Sequence, residues 1–134
     1  MSGTIRRALR TDAAPAPAGA YNQGIAAGPY AYTSGLGPQD PASGGAVPEG
    51  IEAQTRQVLA NLAAVLAADG LDLGDVVKST VHLQHLHRDF EGFDAAYRTV
   101  FGATGKSLPV RTTVGSDLMN ILVEIDVVAL RHTE

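Results

Sequence analysis

Residues 121–130 read ILVEIDVVAL, a run in which apolar residues alternate with a second set that includes two carboxylates. Alternate residues of a β-strand lie on the same face, so the run predicts a strand. One face is entirely apolar and carries Ile121, Val123, Ile125, Val127 and Ala129. The opposite face carries Leu122, Glu124, Asp126, Val128 and Leu130.

Two helices are predicted upstream of this strand. Ile51–Asp69 has apolar residues at a 3.6-residue period, with Pro48 and Glu49 at its start and Gly70 as its stop. These residues are Ile51, Val58, Leu59, Leu62, Val65 and Leu66. Asp89–Phe101 is predicted to bury Phe90, Phe93, Tyr97 and Phe101, and to end at Gly102.

The remaining strands are shorter. Predicted strands cover Thr4–Leu9, Ile25–Ala27, Tyr30–Leu36, Asp75–Leu83 and Val110–Val114. Gly28-Pro29 is a turn pair that favours a hairpin between the second and third of them. In Asp75–Leu83 we expect Val77, Ser79, Val81 and Leu83 on one face and Lys78, Thr80 and His82 on the other.

This order predicts an α+β fold, with two helices on one face of a mostly antiparallel sheet. The helices cover the apolar face of 121–130, so the opposite face needs another cover, and a partner subunit is the simple choice. A register shift of one residue would reverse the two faces. We expect one domain over residues 1–134, with an extended Ala/Pro arm at 11–19.

Composition excludes several functions. The formal net charge of -4 and the lack of a basic stripe argue against a nucleic-acid partner. The absence of cysteine excludes thiol nucleophiles, disulfides and cysteine metal sites. No phosphate-binding glycine motif is present. We find no secretory signal and no run long enough to span a bilayer, so we expect a cytoplasmic protein without membrane contact.

Arg111 is the first candidate functional residue. It lies in the short predicted strand Val110–Val114, between apolar residues. A guanidinium binds a carboxylate through two parallel hydrogen bonds. A strand arginine usually points to solvent, but the apolar flanks favour a ligand.

Glu124 and the Thr33-Ser34-Gly35 turn are further candidates. A partly buried carboxylate can hold or transfer a proton, although an ion-pair role for Glu124 is an equally simple interpretation. A hydroxyl beside a glycine can offer an O–H and backbone N–H groups to a ligand, but Ser-Gly is also ordinary turn chemistry. His82, His85 and His87 are close in sequence, yet a strand residue followed by loop residues is not expected to converge on a metal. We interpret them as a surface cluster.

Six segments, taken together and in order, resemble the reactive-intermediate deaminase (Rid, RidA/YjgF-like) family. They are Ala18–Gly24, in which Ala20 replaces the family's proline, Tyr32–Gly35, Gln54–Leu62, Gly74–Val81, Pro109–Val114 and Val123–Asp126. They cover nearly the whole chain, and their combination is specific although each alone is weak.

The resemblance implies a chorismate-mutase-like fold and a homotrimer with sites between subunits. It implies hydrolysis of enamine and imine intermediates, such as 2-aminoacrylate, to 2-keto acids and ammonia, without a metal or organic cofactor. It gives Arg111 the substrate carboxylate and Glu124 the attacking water. Pocket-lining positions carried over from the family are Tyr21, Ser34, Gly35 (through its N–H), Asp94 and Thr113.

Two departures from the family pattern bear on the substrate. Asp94 stands where many members have asparagine, and Arg98 at i+4 is placed to neutralise it. The turn between Val114 and Ile121 is short and lacks the usual Leu-Pro pair. A specialised relative acting on a larger intermediate therefore stays open, as does a non-catalytic protein that binds a ligand or RNA or acts as a chaperone.

Overall fold

The computed structural model describes residues 5–132 and shows one six-stranded sheet with two helices. The strands are β1 (Arg6–Leu9), β2 (Gly24–Ala27), β3 (Tyr30–Thr33), β4 (Val76–Leu83), β5 (Val110–Gly115) and β6 (Val123–Leu130). The helices are α1 (Ile51–Ala67) and α2 (Leu86–Gly102). The first residue of the predicted strand Thr4–Leu9 lies outside the described residues.

The sheet runs in the order β1-β2-β3-β6-β4-β5. Every neighbouring pair is antiparallel except β4 and β5, which are parallel. β6 therefore lies in the centre of the sheet, and β5 forms one edge. The predicted α+β fold with a mostly antiparallel sheet is confirmed.

The predicted two-faced pattern of β6 is also confirmed. Val123, Ile125, Val127 and Ala129 are buried and share one hydrophobic core with the apolar stripe of α1. Phe93, Tyr97 and Phe101 of α2 belong to the same core. The alternate residues of β6 are partly exposed on the opposite face, which we call the open face. Burial of the alternating apolar set selects which side of the sheet the helices cover.

α1 begins at the predicted Ile51 and ends two residues earlier than predicted, whereas α2 begins at another residue than predicted. α1 begins after Gly50, whose positive φ of 88° suits a glycine, so Pro48 and Glu49 precede the helix. α2 begins at Leu86, three residues earlier than predicted, and takes His87 into the helix. Phe90 is 39% exposed and is not buried with the other aromatic residues of α2. The i, i+3 spacing places Phe90 and Phe93 on the same side of α2. The hydrophobic core covers Phe93 but not Phe90.

A bulge corrects the predicted faces of β4. The pairing with β6 shifts register between Val76 and Lys78, so Val77 is left 42% exposed. A bulge adds one residue to one strand, and the side chain of that residue no longer follows the alternation between the two faces of the sheet. From Ser79 onward the predicted alternation holds, with Ser79, Val81 and Leu83 buried.

The Ala/Pro arm is held against the domain by one buried side chain. Gln23, 3% exposed, accepts a hydrogen bond from the N–H of Thr11 and donates to the carbonyls of Thr11, Ala14 and Pro15. An apolar arm without its own backbone pairing thereby gains hydrogen-bond partners.

No helix within residues 5–132 is long and apolar enough to cross a membrane.

Candidate functional site

The predicted site residues fall into two sets on opposite faces of the sheet. Arg111 pairs with Ser79, and Thr113 pairs with Val81, in the parallel β4–β5 ladder. Since Ser79 and Val81 are buried under the helices, Arg111 and Thr113 face the helix layer. Glu124 pairs with His82 and therefore lies on the open face.

Arg111 is held by two polar partners. Its Nη1 donates to Asp94 Oδ1 at 2.8 Å, and its Nε donates to Thr113 Oγ1 at 2.8 Å. The side chain is 20% exposed. Within residues 5–132 its Nη2 has no hydrogen-bond partner. An oriented guanidinium with an edge left for a ligand is the arrangement that a carboxylate clamp requires.

Aromatic rings of α2 surround the guanidinium. Its Cζ lies 5.7, 5.1 and 4.7 Å from the ring centroids of Phe90, Phe93 and Tyr97 respectively. Cation–π attraction at such distances contributes about 0.5–2 kcal/mol and restricts the orientation of the guanidinium. The exposed Phe90 is thus placed beside Arg111 instead of in the core.

Asp94 bridges two arginines. Its Oδ2 accepts from Arg98 Nη2 at 2.7 Å, in addition to the bond from Arg111. Partial burial raises the pKa of Asp94, but the bonds and charges of Arg111 and then Arg98 outweigh it and lower the pKa. The predicted pairing with Arg98 is confirmed, whereas the second partner, Arg111, was not predicted. Because the pKa is lowered, the stabilisation by Asp94 is lost as pH falls below the ordinary Asp range.

The second set is organised by a bridge between Leu36 and Ile125. The N–H of Leu36 donates to the carbonyl of Ile125 at 2.9 Å, and the reverse bond is 3.2 Å. This brings the backbone of Gly35 against Glu124: a Cβ at Gly35 would lie 2.9 Å from Glu124 Cδ and would overlap the carboxylate oxygen. Only a glycine allows this approach without displacing the carboxylate.

Tyr21 and Ser34 make local hydrogen bonds. The Tyr21 hydroxyl accepts from the N–H of Ala18 at 3.0 Å, and the ring is 47% exposed. The Ser34 hydroxyl donates to the carbonyl of Asn22 at 2.6 Å. Ser34 therefore joins the strand end to the Tyr21 segment and does not present an unbonded hydroxyl proton.

A cavity of about 1010 Å³ contains most of the second set. Tyr21, Gly35 and Glu124 line it, together with the Ala/Pro arm and the turn at 116–119. Arg111, Asp94, Thr113 and Ser34 do not line it. One chain therefore brings together only half of the predicted site.

Two lining residues were missed by the sequence interpretation. His82 and Ser116 border the same cavity, with His82 Nδ1 and Ser116 Oγ 2.7 Å apart. The alternation of β4 places His82 away from the core, but only its pairing with β6 puts it opposite Glu124. Within residues 5–132 there is no group of three His, Asp or Glu side chains that could hold a metal ion.

Comparison with known proteins identifies full-length relatives. A sequence profile of the family described as endoribonuclease L-PSP matches residues 11–131. The chain is 38% identical over 130 residues to the 2-iminobutanoate/2-iminopropanoate deaminase of Salmonella typhimurium, covering 96% of this chain and 100% of that protein.

Two solved structures have the same fold. The crystal structure of the YjgF gene product from E. coli superposes with a TM-score of 0.88 at 36% identity, covering 94% of this chain and 99% of that one. The crystal structure of E. coli TdcF with bound serine gives 0.88 at 31% identity, with the same coverage.

Proposed function

Since the chain belongs to the reactive-intermediate deaminase (Rid, endoribonuclease L-PSP) family, we propose that it hydrolyses enamine and imine intermediates of small carboxylic acids. The products are 2-keto acids and ammonia, and 2-aminoacrylate with its imine tautomer is the model substrate. The observation that carries the proposal is the oriented, mostly buried Arg111 with its Nη2 edge left for an anion.

Arg111 binds the substrate carboxylate in this proposal. Thr113 and Asp94 act through it, because their bonds to Nε and Nη1 set the plane of the guanidinium. The Tyr97 ring covers one face of the guanidinium and excludes water from that side. Excluding water strengthens the ion pair between Arg111 and the substrate carboxylate. The relative E. coli TdcF, crystallised with bound serine, supports a substrate with a small carboxylate.

Glu124 orients the attacking water and accepts its proton. Gly35 contributes a backbone N–H and the close approach that holds the carboxylate in place. Tyr21 lines the pocket beside them, and Ser34 fixes the Tyr21 segment through Asn22.

The complete site forms between copies of the chain in a homotrimer. Arg111 and Glu124 face opposite sides of the sheet, so a second copy is needed to unite them. The open face also leaves apolar residues uncovered in one chain. These residues are Tyr30 (38% exposed), Tyr32 (40%), Val114 (37%) and Leu130 (49%). Covering such a patch with another copy is a common reason for association.

Residues 1–134 are taken as one domain in this proposal. The single hydrophobic core that extends from Leu9 in β1 to Ala129 in β6 supports this. A cytoplasmic location stays a prediction of the sequence.

The direct test is hydrolysis of 2-aminoacrylate that a serine dehydratase releases in the assay. We expect the protein to accelerate the appearance of both pyruvate and ammonia above the spontaneous rate. The deaminase proposal would be refuted if, for every member of a panel of small imines, pyruvate or the corresponding keto acid and ammonia appeared no faster than in the assay without this protein.

Asp94→Asn is expected to lower KM for a monocarboxylate imine by about threefold to tenfold. The substitution keeps the shape and the hydrogen bond to Arg111 but removes a negative charge close to the bound carboxylate. Steady-state kinetics with the wild type and the variant measure the change. A KM that rises instead would show that the charge of Asp94 is needed to hold Arg111.

A specialised relative that acts on a larger intermediate is the second candidate. The turn that borders the cavity exposes Met119 to 88%, and Asn120 adopts a positive φ of 64°. An apolar side chain at the cavity rim favours bulky substrates. A panel of imines from alanine to phenylalanine, compared by kcat/KM, separates the two candidates.

A further inference from the structure

We propose that His82 is the group that protonates the departing nitrogen in the reaction proposed above. Imine hydrolysis needs an acid as well as a base, because an amine leaves readily only after it gains a proton. Glu124 serves as the base in the proposed mechanism, and no acid has yet been assigned. His82 lines the same cavity and pairs directly with Glu124 across β4 and β6.

The cross-strand pair sets the two groups at a useful separation. Side chains directly opposite in antiparallel strands have Cβ atoms about 4.5–5.5 Å apart. In the attack on an imine, the water oxygen and the imine nitrogen both lie next to the same carbon, so they are only a few ångströms apart. Glu124 and His82 can therefore serve the two reacting atoms of one substrate.

Ser116 orients the imidazole for this role. When the ring is protonated, Nδ1–H donates to Ser116 Oγ at 2.7 Å, and Nε2–H is left for a ligand. Within residues 5–132, Nε2 has no hydrogen-bond partner. After it has given its proton, the ring stays as the Nδ1–H tautomer, with Nε2 ready to be protonated again.

The protons and electrons balance through two steps. Water forms a bond to the imine carbon, and Glu124 takes one of its protons and passes it to the nitrogen, to which the C=N π pair moves. In the second step His82 Nε2–H protonates that nitrogen and the C–N bond breaks. Its electron pair leaves with ammonia, while Glu124 accepts the hydroxyl proton as the 2-keto group forms. Solvent or the protonated Glu124 restores the proton of His82.

Several charged groups face His82. Lys78 lies on the same face of β4, Glu124 and Asp126 face it from β6, and Asp117 lies in the turn after β5. The residue of β5 beside it, Val114, is uncharged. Burial raises the pKa of Asp126, and the neighbouring His82 and Lys78 partly offset this rise.

The test is the pH dependence of kcat for wild type and His82→Gln. An acid catalyst is active only when it is protonated, so we expect the wild-type kcat to fall on the alkaline side of its pH profile. His82→Gln keeps a group that can bond Ser116 but transfers no proton. We expect kcat to fall by about 10²-fold and this limb of the profile to disappear, with KM within about twofold.

His87→Gln is the matched control, because His87 is an exposed residue of α2 outside the cavity. It should leave the rate and the profile unchanged. If His82→Gln keeps the wild-type kcat and pH limb, the role of His82 is refuted, while the Arg111 and Glu124 variants still test the deaminase proposal separately.

A binding measurement covers the case in which the variant does not fold. In the wild-type protein with 13C-labelled histidine, added pyruvate should shift the ring resonance of His82 and not that of His87. An unchanged His82 resonance at pyruvate concentrations that saturate an Arg111-dependent site would overturn the inference.

Discussion

Replacing Arg111 with alanine is expected to lower kcat/KM for small imines by roughly 10²–10⁴-fold. Each charge-assisted hydrogen bond contributes about 1.5–3 kcal/mol, and a carboxylate clamp makes two of them. A factor of ten in rate corresponds to about 1.4 kcal/mol, which gives the stated range. The measurement is pyruvate and ammonia release from 2-aminoacrylate, corrected for spontaneous hydrolysis.

Two companion variants separate substrate binding from folding. Arg111→Lys keeps the charge but loses the fork that reaches Asp94 and Thr113, so we expect most of the loss to remain. Arg56→Ala removes an exposed arginine on α1 and should retain full activity. The thermal midpoint of Arg111→Ala should fall by several degrees at most, since the contacts with the aromatic rings are lost but Asp94 keeps its bond to Arg98. Full activity in both Arg111 variants would contradict the assigned role.

Mixing two inactive variants is expected to restore activity. Arg111→Ala and Glu124→Gln each lack one half of the site, and we expect losses of about 10² or more in each alone. In a mixed trimer, one junction between copies combines the intact Arg111 of one with the intact Glu124 of the other. For random assembly from equal amounts, about a quarter of the wild-type activity should return.

The control for this experiment is a chain that carries both substitutions. Mixed with Arg111→Ala, it offers no junction that contains both side chains, so activity should stay absent. Light scattering on the same samples measures the mass of the assembly. A wild-type mass equal to one chain, or no recovery on mixing, would contradict a site between subunits.

The alternation of Ile121–Leu130 carried the most information about the fold. Because every second residue is apolar, the strand had to be covered on one face, and the helices cover that face. The apolar period of α1 was equally direct, because a stripe of six aliphatic residues requires a core contact. The bulge at Val76–Lys78 was invisible, since it is a property of pairing with β6 and not of the local sequence.

The sequence predicted the individual residues of the candidate site, but not which of them contact one another. The resemblance indicated both Arg111 and Asp94, yet their ion pair depends on how α2 crosses the edge strand β5. The exposed Phe90 shows the same limit, because its place beside Arg111 follows from packing between two elements. His82 was interpreted as a surface residue because the sequence does not give the β4–β6 register that places it opposite Glu124.

The sequence by itself determined most of the buried faces, because hydrophobic periodicity acts within each element, but not the exposure of Phe90 and Val77. It also determined the family, through motifs spread along nearly the whole chain. Only the tertiary structure decided which polar groups meet, because strand register and helix crossing place residues from distant segments together. That is why the sequence predicted Arg111 and Glu124 individually, whereas their separation onto opposite faces of the sheet became visible only in the folded chain.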